Sequence, residues 1–508
     1  MLALVPYAQT LSFGFTLDDA NTIVGHRGVK EALSFDDLVL RDSWGRSRFD
    51  TVGVWRPIAT LSYWIDQHVG GGRTWPFHLT NVLLYVALVA LADWTLARWC
   101  GDALSPVARW LAVGMFASLA IHADVVPSAT GRAETLAAIF SLGAIAIVTC
   151  GRALGAREIA LVAVALLLAI LAKESSAPMV VLVPLLAWRA HGGVKSVRGP
   201  VAALASWGVL VGLAIALFRA TRMPFVALGP DRLFDNPLIA ADAPHRFVAG
   251  LGLIAFRLRH VLVGTSLVPD YSFSEQPISD EGVTGVVLGA FFVVACIGLL
   301  VVSWSRVPRI ADALLAFGAS YVSMSNFVVS TPGVADRHFF FPSLWLVVVV
   351  ALVVDRVARA PRVRALVGTV AIGFVVVQSC LATAYASTWR DDVTLLSAAA
   401  RVYPDVFRTQ RNLAHALADE ARDDDAAFHL VAAEAIFARY PTRVARDAIS
   451  PAWDGEPLDA RLTHLSASFG ARATCDAARI AAARLRSWRD ARAGEALDAW
   501  SRGSCGPR

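Results

Sequence analysis

The chain has 508 residues, of which 56% are hydrophobic and 17% charged, and its mean hydropathy is +0.55. Soluble domains are about a quarter charged, so this composition excludes an ordinary soluble protein and indicates a surface that largely faces lipid. The formal charge is +5, but the arginines lie between apolar runs, where membrane topology places them, and we therefore set nucleic-acid binding aside.

Apolar stretches recur along the chain at the length of about 20 residues that a helix needs to cross the bilayer core. Residues 1–13 are apolar but short, and we expect them to end a first helix that starts upstream. Further spans are predicted at 76–98, 104–121, 132–150, 157–172, 175–190, 200–218, 283–304, 310–330, 338–358 and 363–386. The predicted fold class is therefore all-α, a polytopic bundle of about 11 transmembrane helices in residues 1–388.

Arginine placement predicts the orientation of this bundle. Five connectors between spans are rich in arginine, and the positive-inside rule puts all five on the cytoplasmic side. They are Arg98–Arg109, Arg152–Arg157, Arg189–Arg198, Arg306–Arg309 and Arg356–Arg364. The outer side then holds loop 14–75, loop 220–282 and the tail 389–508. Within the second loop, 245–260 carries four basic side chains and is predicted to be an interfacial helix.

The tail 389–508 changes character and becomes rich in Ala, Arg and Asp. Residues 389–441 predict paired amphipathic helices at a period close to the 34 residues of tetratricopeptide repeats, although a generic helical tail is the alternative. Cys475 and Cys505 could pair if the tail is in an oxidising compartment. No CxxC or His/Cys cluster indicates a zinc site, and we expect neither a metal nor another cofactor.

The first outer loop contains FTLDDANTIVGH, in which Asp18 and Asp19 follow directly on an apolar stretch. Adjacent carboxylates repel each other at a membrane surface, and a carboxylate in that position is suited to take a proton from a hydroxyl acceptor. The alternative is a helix cap with a solvated neighbour.

Two further motifs bring charges to the predicted outer side. The motif IHADVVPSATGRAETL places His122 and Asp124 at a corner, and Arg132 and Glu134 open the next span, where charges are costly unless they are paired or bound to a ligand. A surface ion pair is the alternative. Lys173 and Glu174 interrupt an otherwise apolar stretch. A lysine at the outer boundary suits a phosphate or diphosphate group, whereas a buried structural pair is the alternative.

The segment GVADRHFFFPS places Asp336, Arg337 and His338 before an aromatic run, and PDYS adds Asp270 and Tyr271 on the same side. The forked donor set of Arg337 suits a lipid phosphate. Simple loop chemistry is the alternative for both segments.

The order of these motifs resembles a known family. The motifs are DD in the first loop, WRPIATLSYWID with FHLTNVLLY, HADVV with GRAETLAA, LAKESSAP, PDYS, SNFVVSTPGVADRHFFFPS and TWRDDVTLL. They are similar to those of the multi-span O-mannosyltransferases with C-terminal tetratricopeptide repeats (TMTC type), which belong to the GT-C glycosyltransferase superfamily. The resemblance covers about 13–440 and suggests a short, bacterial-type member.

This resemblance implies transfer of a hexose, mannose in the best-studied relatives, from a polyprenyl-phosphate-linked donor to a hydroxyl acceptor with inversion of the anomeric carbon. The acceptor would be a protein Ser or Thr, or a glycan, and the tail is a candidate protein-binding module outside a bacterial inner membrane. Asp18 and Asp19 would supply the catalytic base, and Arg132, Lys173 and Arg337 would hold the lipid phosphate. Supporting residues would be His122, Glu134, Glu174, Asp270, Tyr271, Asp336 and His338.

Two other functions compete with this hypothesis. A transporter of a lipid-linked precursor needs polar residues across the full membrane depth, whereas here they gather on one side. A non-catalytic membrane anchor that displays the repeat tail would leave Asp18 and Asp19 replaceable.

Overall fold

The computed structural model describes residues 2–31, 34–47, 51, 53–150, 154–191, 236–239, 241–271, 282–327, 334–439, 449–450, 453–487 and 491–505, with scattered residues between 201 and 215. Every regular element in this part of the chain is a helix, so the predicted all-α class is confirmed.

The helices that precede the tail follow a short 3-10 helix, Val5–Ser12. They are α1 Arg27–Lys30, α2 Phe35–Val39, α3 Pro57–Gly70, α4 Trp75–Cys100, α5 Pro106–Ser118, α6 Arg132–Thr149, α7 Ala156–Ala172, α8 Met179–Ala190, α9 Ala243–Val263, α10 Gly282–Arg306, α11 Pro308–Val322, α12 Phe340–Val357 and α13 Pro361–Thr388. Proline occupies the first turn of α3, α4, α5, α9, α11 and α13, where its missing N–H costs nothing.

Six helical segments among the described residues are long and apolar enough to cross a membrane, and each coincides with a predicted span. They are Trp75–Ala103, Pro106–Asp124, Arg132–Thr149, Gly282–Arg306, Asp336–Val357 and Pro361–Thr388. Helices α7, α8 and α11 occupy three more predicted spans but are shorter, at 17, 12 and 15 residues. The predicted span 200–218 lies mostly outside the described residues, and the total of about 11 spans stays a prediction.

Successive long helices run in opposite directions, so the bundle has two ends. Contacts join four of the five arginine-rich connectors at one end: Asp355 accepts from Ser105, Arg189 pairs with Asp312, and Arg309 lies over the Trp99 ring at 5.6 Å. We call this end the basic rim, and it comprises residues 93–109, 189, 304–312 and 355–364. We call the opposite end the polar rim, and it comprises residues 14–31, 56–81, 120–134, 172–176, 257–271 and 334–339.

Helix α9 differs from the predicted interfacial helix in where its basic residues lie. Asp242 caps its first turn by accepting from the His245 N–H at 2.9 Å. Arg259 is exposed, but Arg257 and His260 are buried, because they form hydrogen bonds to other segments of the polar rim.

The described part of the tail is a second group of helices with its own apolar core. Its helices are α14 Asp392–Val402, α15 Phe407–Asp419, α16 Asp423–Ala438, α17 Leu458–Phe469, α18 Ala471–Ser487 and α19 Ala491–Ser504. Helices α14, α15 and α16 fall where the amphipathic units are predicted, and their assignment to the tetratricopeptide class stays a prediction. A disulfide joins Cys475 to Cys505, with 5.9 Å between their Cα atoms.

Candidate active site at the polar rim

The adjacent carboxylates of the first loop have different environments. Asp19 is fully buried and accepts three backbone N–H groups, from Thr16 at 3.1 Å, Ala129 at 3.3 Å and Thr130 at 2.8 Å. Asp18 is exposed. Asp19 therefore fastens the loop to the corner that precedes α6, and of the two only Asp18 is accessible to an acceptor.

Burial raises the pKa of Asp19 to about 6, although its three amide donors act in the opposite direction. The corner that supplies two of these donors needs a glycine. A Cβ added at Gly131 would lie only 2.0 Å from the carbonyl oxygen of Val125, so no larger residue fits this turn.

The start of the tail also forms hydrogen bonds to the first loop. The N–H of Leu17 donates to the Asp392 carboxylate at 2.7 Å, and the N–H of Gly14 donates to the carbonyl of Arg390 at 2.9 Å. Leu17 has a φ of 48°, a left-handed conformation that is unfavourable for a leucine. Contacts from the TWRDD segment thus stabilise a strained turn directly before Asp18.

Arg132, predicted to bind the donor phosphate, is fully buried and uses its donors within the protein. It donates from Nε to Asn81 at 2.8 Å and from Nη2 to the Phe77 carbonyl at 2.8 Å, and it pairs with Asp66 at 2.5 Å. Its guanidinium also stacks on Tyr63. This arrangement favours a structural role in which Arg132 joins α3, α4 and α6.

Lys173 and Glu174, also predicted site residues, belong to two neighbouring ion pairs. The buried Lys173 ammonium contacts the Glu134 carboxylate, which opens α6. Arg56 forms a two-pronged pair with Glu174, at 2.8 and 3.1 Å. Glu174 is exposed, and the charge and hydrogen bonds of Arg56 hold the pKa of its carboxyl below its usual value.

Arg337 lies at the centre of the polar rim. Its N–H donates to Asp124 at 2.9 Å, and its guanidinium is 3.6 Å from the other oxygen of that carboxylate. Asp18, Glu134 and Asp270 also lie near enough to act electrostatically on Arg337. Segments that are far apart in the sequence therefore converge on one arginine.

The two neighbours of Arg337 are buried in a hydrogen-bonded network. Asp336 lies 2.8 Å from Nδ1 of His260 and accepts the hydroxyl of Tyr271 at 2.5 Å. Nδ1 of His338 lies 3.2 Å from the guanidinium of Arg257.

His122 and Asp270, two predicted supporting residues, lie beside this centre. His122 is completely buried, with Nδ1 2.6 Å from the Tyr85 hydroxyl and Nε2 3.2 Å from the Ser343 hydroxyl, which is typical of a structural histidine. Asp270 pairs with Arg408 of α15 at 3.3 Å and so connects the second outer loop to the tail.

A cavity opens beside Arg337. Glu134, Arg337 and His338 contribute charged or polar groups to its wall, and Met179 and Phe341 contribute apolar surface. A cavity whose wall contains both charged and apolar side chains is suited to an amphipathic ligand. Within the described residues, His, Cys, Asp and Glu side chains form no group of three that could hold a metal ion.

Four further residues of this rim had no predicted role in the site, although Asp124 stands in a motif singled out above. Asp124 stands two positions after His122 in the motif IHAD, and Arg56 stands in WRPIAT. Arg257 and His260 are three positions apart in an apolar helix, and two basic residues on one helical face were a signal that they share a polar environment.

The chain is similar in sequence to known proteins. No protein-family model matches the chain, and no solved structure matches it significantly. The chain is 34% identical over 142 residues to the protein O-mannosyl-transferase Tmtc2 of Drosophila melanogaster, an alignment that covers 27% of this chain and 15% of that protein. It is 22% identical over 439 residues to a protein O-mannosyl-transferase of Caenorhabditis elegans, covering 84% of this chain and 60% of that protein.

Over these stretches the chain is similar to the TMTC-type protein O-mannosyl-transferases. The protein O-mannosyl-transferase TMTC3 of Mus musculus also aligns over 82% of this chain, at 21% identity, and that alignment covers 48% of the mouse protein. The chain thus covers less than two thirds of the length of each of these relatives.

Proposed function

We propose that this protein is a membrane glycosyltransferase that moves a hexose from a polyprenyl-phosphate-linked donor to a hydroxyl acceptor at the polar rim. Mannose is the first candidate for the sugar and a protein Ser or Thr for the acceptor, because the relatives are named protein O-mannosyl-transferases. The observation that carries the proposal is the cavity beside Arg337, whose guanidinium is 3.6 Å from Asp124 and whose wall also includes Glu134.

In the proposed reaction, Asp18 accepts the proton of the acceptor hydroxyl while the hydroxyl oxygen attacks the anomeric carbon. The bond between that carbon and the phosphate oxygen breaks, and polyprenyl phosphate leaves with the electron pair. Attack opposite the leaving group inverts the anomeric carbon. Arg337 stabilises the charge that grows on the phosphate, since a forked cation beside a protected cavity is an effective electrostatic catalyst.

The other predicted residues take different parts in this proposal. Lys173 is the second candidate for a phosphate ligand, because its partner Glu134 lines the same cavity as Arg337. Asp19 and Arg132 hold the loop and the corner around the site. We therefore assign the base to Asp18 alone.

The first experiment mixes the purified full-length protein in lipid nanodiscs with labelled polyprenyl-phosphate-mannose and a library of Ser/Thr peptides. We expect transfer by the wild type and a loss of about 100-fold or more in Asp18→Asn, which removes the base. The matched control is Asp36→Asn, because Asp36 is an exposed carboxylate of the same loop, in the first turn of α2. Wild-type rates in Asp18→Asn, or no transfer by the wild type from any hexose donor, would refute the proposal.

We also propose that the polar rim and the tail lie on the non-cytoplasmic side. The disulfide between Cys475 and Cys505 supports this orientation, because disulfides persist in oxidising compartments. After reduction of intact cells, a membrane-impermeant thiol reagent should label Cys505. Labelling that appears only when the cytoplasm is opened contradicts the orientation.

A further inference from the structure

One helix face contacts both neighbours of Arg337. Arg257 and His260 are three residues apart on α9, so their side chains leave the helix on the same side. The guanidinium of Arg257 contacts Nδ1 of His338 at 3.2 Å, and Nδ1 of His260 contacts Asp336 at 2.8 Å. Arg337 lies in the sequence between Asp336 and His338, both of which α9 contacts.

Both contacts are reinforced by other segments. The second carboxylate oxygen of Asp336 accepts the hydroxyl of Tyr271 at 2.5 Å, so that both of its oxygens are held. Arg257 also donates to the hydroxyl of Tyr321 at 2.8 Å and to the carbonyl of Met324 at 2.7 Å, which tie it to the end of α11.

Helix α9 is itself firmly placed. The amide of Gln378, from α13, donates to the carbonyls of Val261 and Leu262 and accepts the N–H of Ala120 at 2.9 Å. At the other side of α9, a Cβ added at Gly289 would lie 1.9 Å from the carbonyl oxygen of Leu251, so α9 and α10 are in backbone contact there. The two buried side chains thus project from a rigid support.

Arg337 differs from its two neighbours in what it faces. Asp336 and His338 are buried and their side chains are bound within the protein, whereas the Arg337 side chain is 23% exposed; Arg337 lines the cavity together with His338. Its N–H and guanidinium both point toward Asp124. Because adjacent residues hold the backbone on each side, the point from which the Arg337 side chain starts is fixed beside the cavity.

We propose that Arg257 and His260 are positioning residues, which hold the segment Asp336–His338 so that the Arg337 guanidinium meets the phosphate of the lipid donor. This inference rests on the proposed function, and it assigns to α9 a role in positioning the phosphate-binding arginine. A supporting contact of this kind matters because a displacement of about 1 Å of a binding group weakens its interaction with the ligand.

The test compares His260→Leu, which removes the contact to Asp336, with His260→Asn, whose side-chain amide can donate from nearly the position of Nδ1. We expect His260→Leu to raise the KM for the lipid donor about 10-fold, as expected for one lost hydrogen bond to a charged group. The KM for the acceptor peptide should not change. His260→Asn should keep the donor KM within about twofold of the wild type.

The matched control is Arg259→Ala, which removes a basic residue from the exposed face of the same helix and should leave the donor KM unchanged. Tyr271→Phe is a milder second variant that removes only the hydroxyl that Asp336 accepts. Thermal melting in detergent confirms folding of each variant. If folded His260→Leu and Tyr271→Phe have the donor KM of the wild type, or raise donor and acceptor KM equally, the positioning role is refuted.

Binding of sugar-free polyprenyl phosphate, measured on the same proteins by fluorescence quenching, separates this inference from the proposed function. Wild-type binding that weakens about 10-fold in His260→Leu and recovers in His260→Asn supports the positioning role even if no hexose is transferred. Absence of transfer refutes only the proposed function. Equal binding by the wild type and His260→Leu refutes only the positioning role.

Discussion

The polar rim and the basic rim each contain a buried ion pair of similar exposure but in different surroundings. The side chains of Lys173 and Glu134 are 6% and 12% exposed, and those of Arg189 and Asp312 on the basic rim are 6% and 3% exposed. Arg189 lies over the Trp304 ring at 3.9 Å, and this contact with an aromatic residue near a helix end is typical of an interfacial anchor. Glu134, in contrast, borders the cavity beside Arg337.

This difference shows that burial of a charge does not by itself identify a functional site in a membrane bundle. A buried pair contributes little net stability, because desolvation offsets most of the attraction. What distinguishes the polar rim is that its pairs stand next to open volume and to a cation that is only partly covered. The following experiments use matched residues of the two rims.

The largest effect is expected when either buried pair is broken. Glu134→Leu leaves Lys173 buried without its partner, and Asp312→Leu leaves Arg189 buried without its partner. Each substitution should lower the unfolding free energy by about 3–5 kcal/mol. The apolar double replacements Lys173→Met/Glu134→Leu and Arg189→Met/Asp312→Leu should both fold. We expect the polar-rim double variant to lose transfer by about 100-fold or more, and the basic-rim double variant to keep it. Equal transfer by both double variants would remove the distinction between the rims.

The second largest effect concerns the pH dependence of stability that comes from the buried carboxylate of Asp19. Because the pKa of Asp19 rises from 3.8 to about 6 on folding, the folded protein holds this proton more tightly than the unfolded chain. The resulting stability is full below about pH 4 and is lost as the pH rises through about 6, and two pKa units correspond to about 3 kcal/mol.

Denaturation in detergent across this range measures that effect. The advantage of the wild type over Asp19→Asn in unfolding free energy should shrink by up to about 3 kcal/mol between about pH 4 and pH 7. An advantage that stays constant, or grows with pH, contradicts the assigned burial of Asp19.

A third, smaller effect concerns two arginines with nearly equal distances to a carboxylate. Arg337 is 3.6 Å from Asp124 on the polar rim, and Arg309 is 3.7 Å from Asp312 on the basic rim. Arg337→Lys keeps the charge but loses the forked donor set, so kcat/KM should fall about 10-fold. Arg309→Lys should transfer at the wild-type rate. A harmless Arg337→Lys would show that only charge matters at this position.

The smallest effect is expected for the partly exposed pairs. Arg56 with Glu174 and Arg109 with Asp93 have similar exposure on the two rims. Solvent screens such pairs, so Glu174→Gln and Asp93→Asn should each change the unfolding free energy by less than about 1 kcal/mol. A loss of several kcal/mol in Glu174→Gln alone would indicate that this pair belongs to the buried network.

The apolar stretches predicted the helices well and the roles of the polar residues less well. The spans 76–98, 132–150 and 363–386 correspond to α4, α6 and α13, because helix formation depends on local apolar length. The basic stretch 245–260 was expected at an interface, yet Arg257 and His260 are buried. Their burial depends on Asp336 and His338, which lie far away in the sequence.

By itself, the sequence determined that the chain forms apolar helices of membrane-spanning length, because a backbone in hydrocarbon must satisfy its hydrogen bonds within each helix. Only the tertiary structure decided which charges are enclosed and which are accessible. Asp19 meets Thr130 across 111 residues, and Arg337 meets Asp124 across 213. Contacts between residues so far apart in the sequence bury Asp19 and leave its neighbour Asp18 exposed. Two adjacent aspartates in a sequence do not show which of them will be buried.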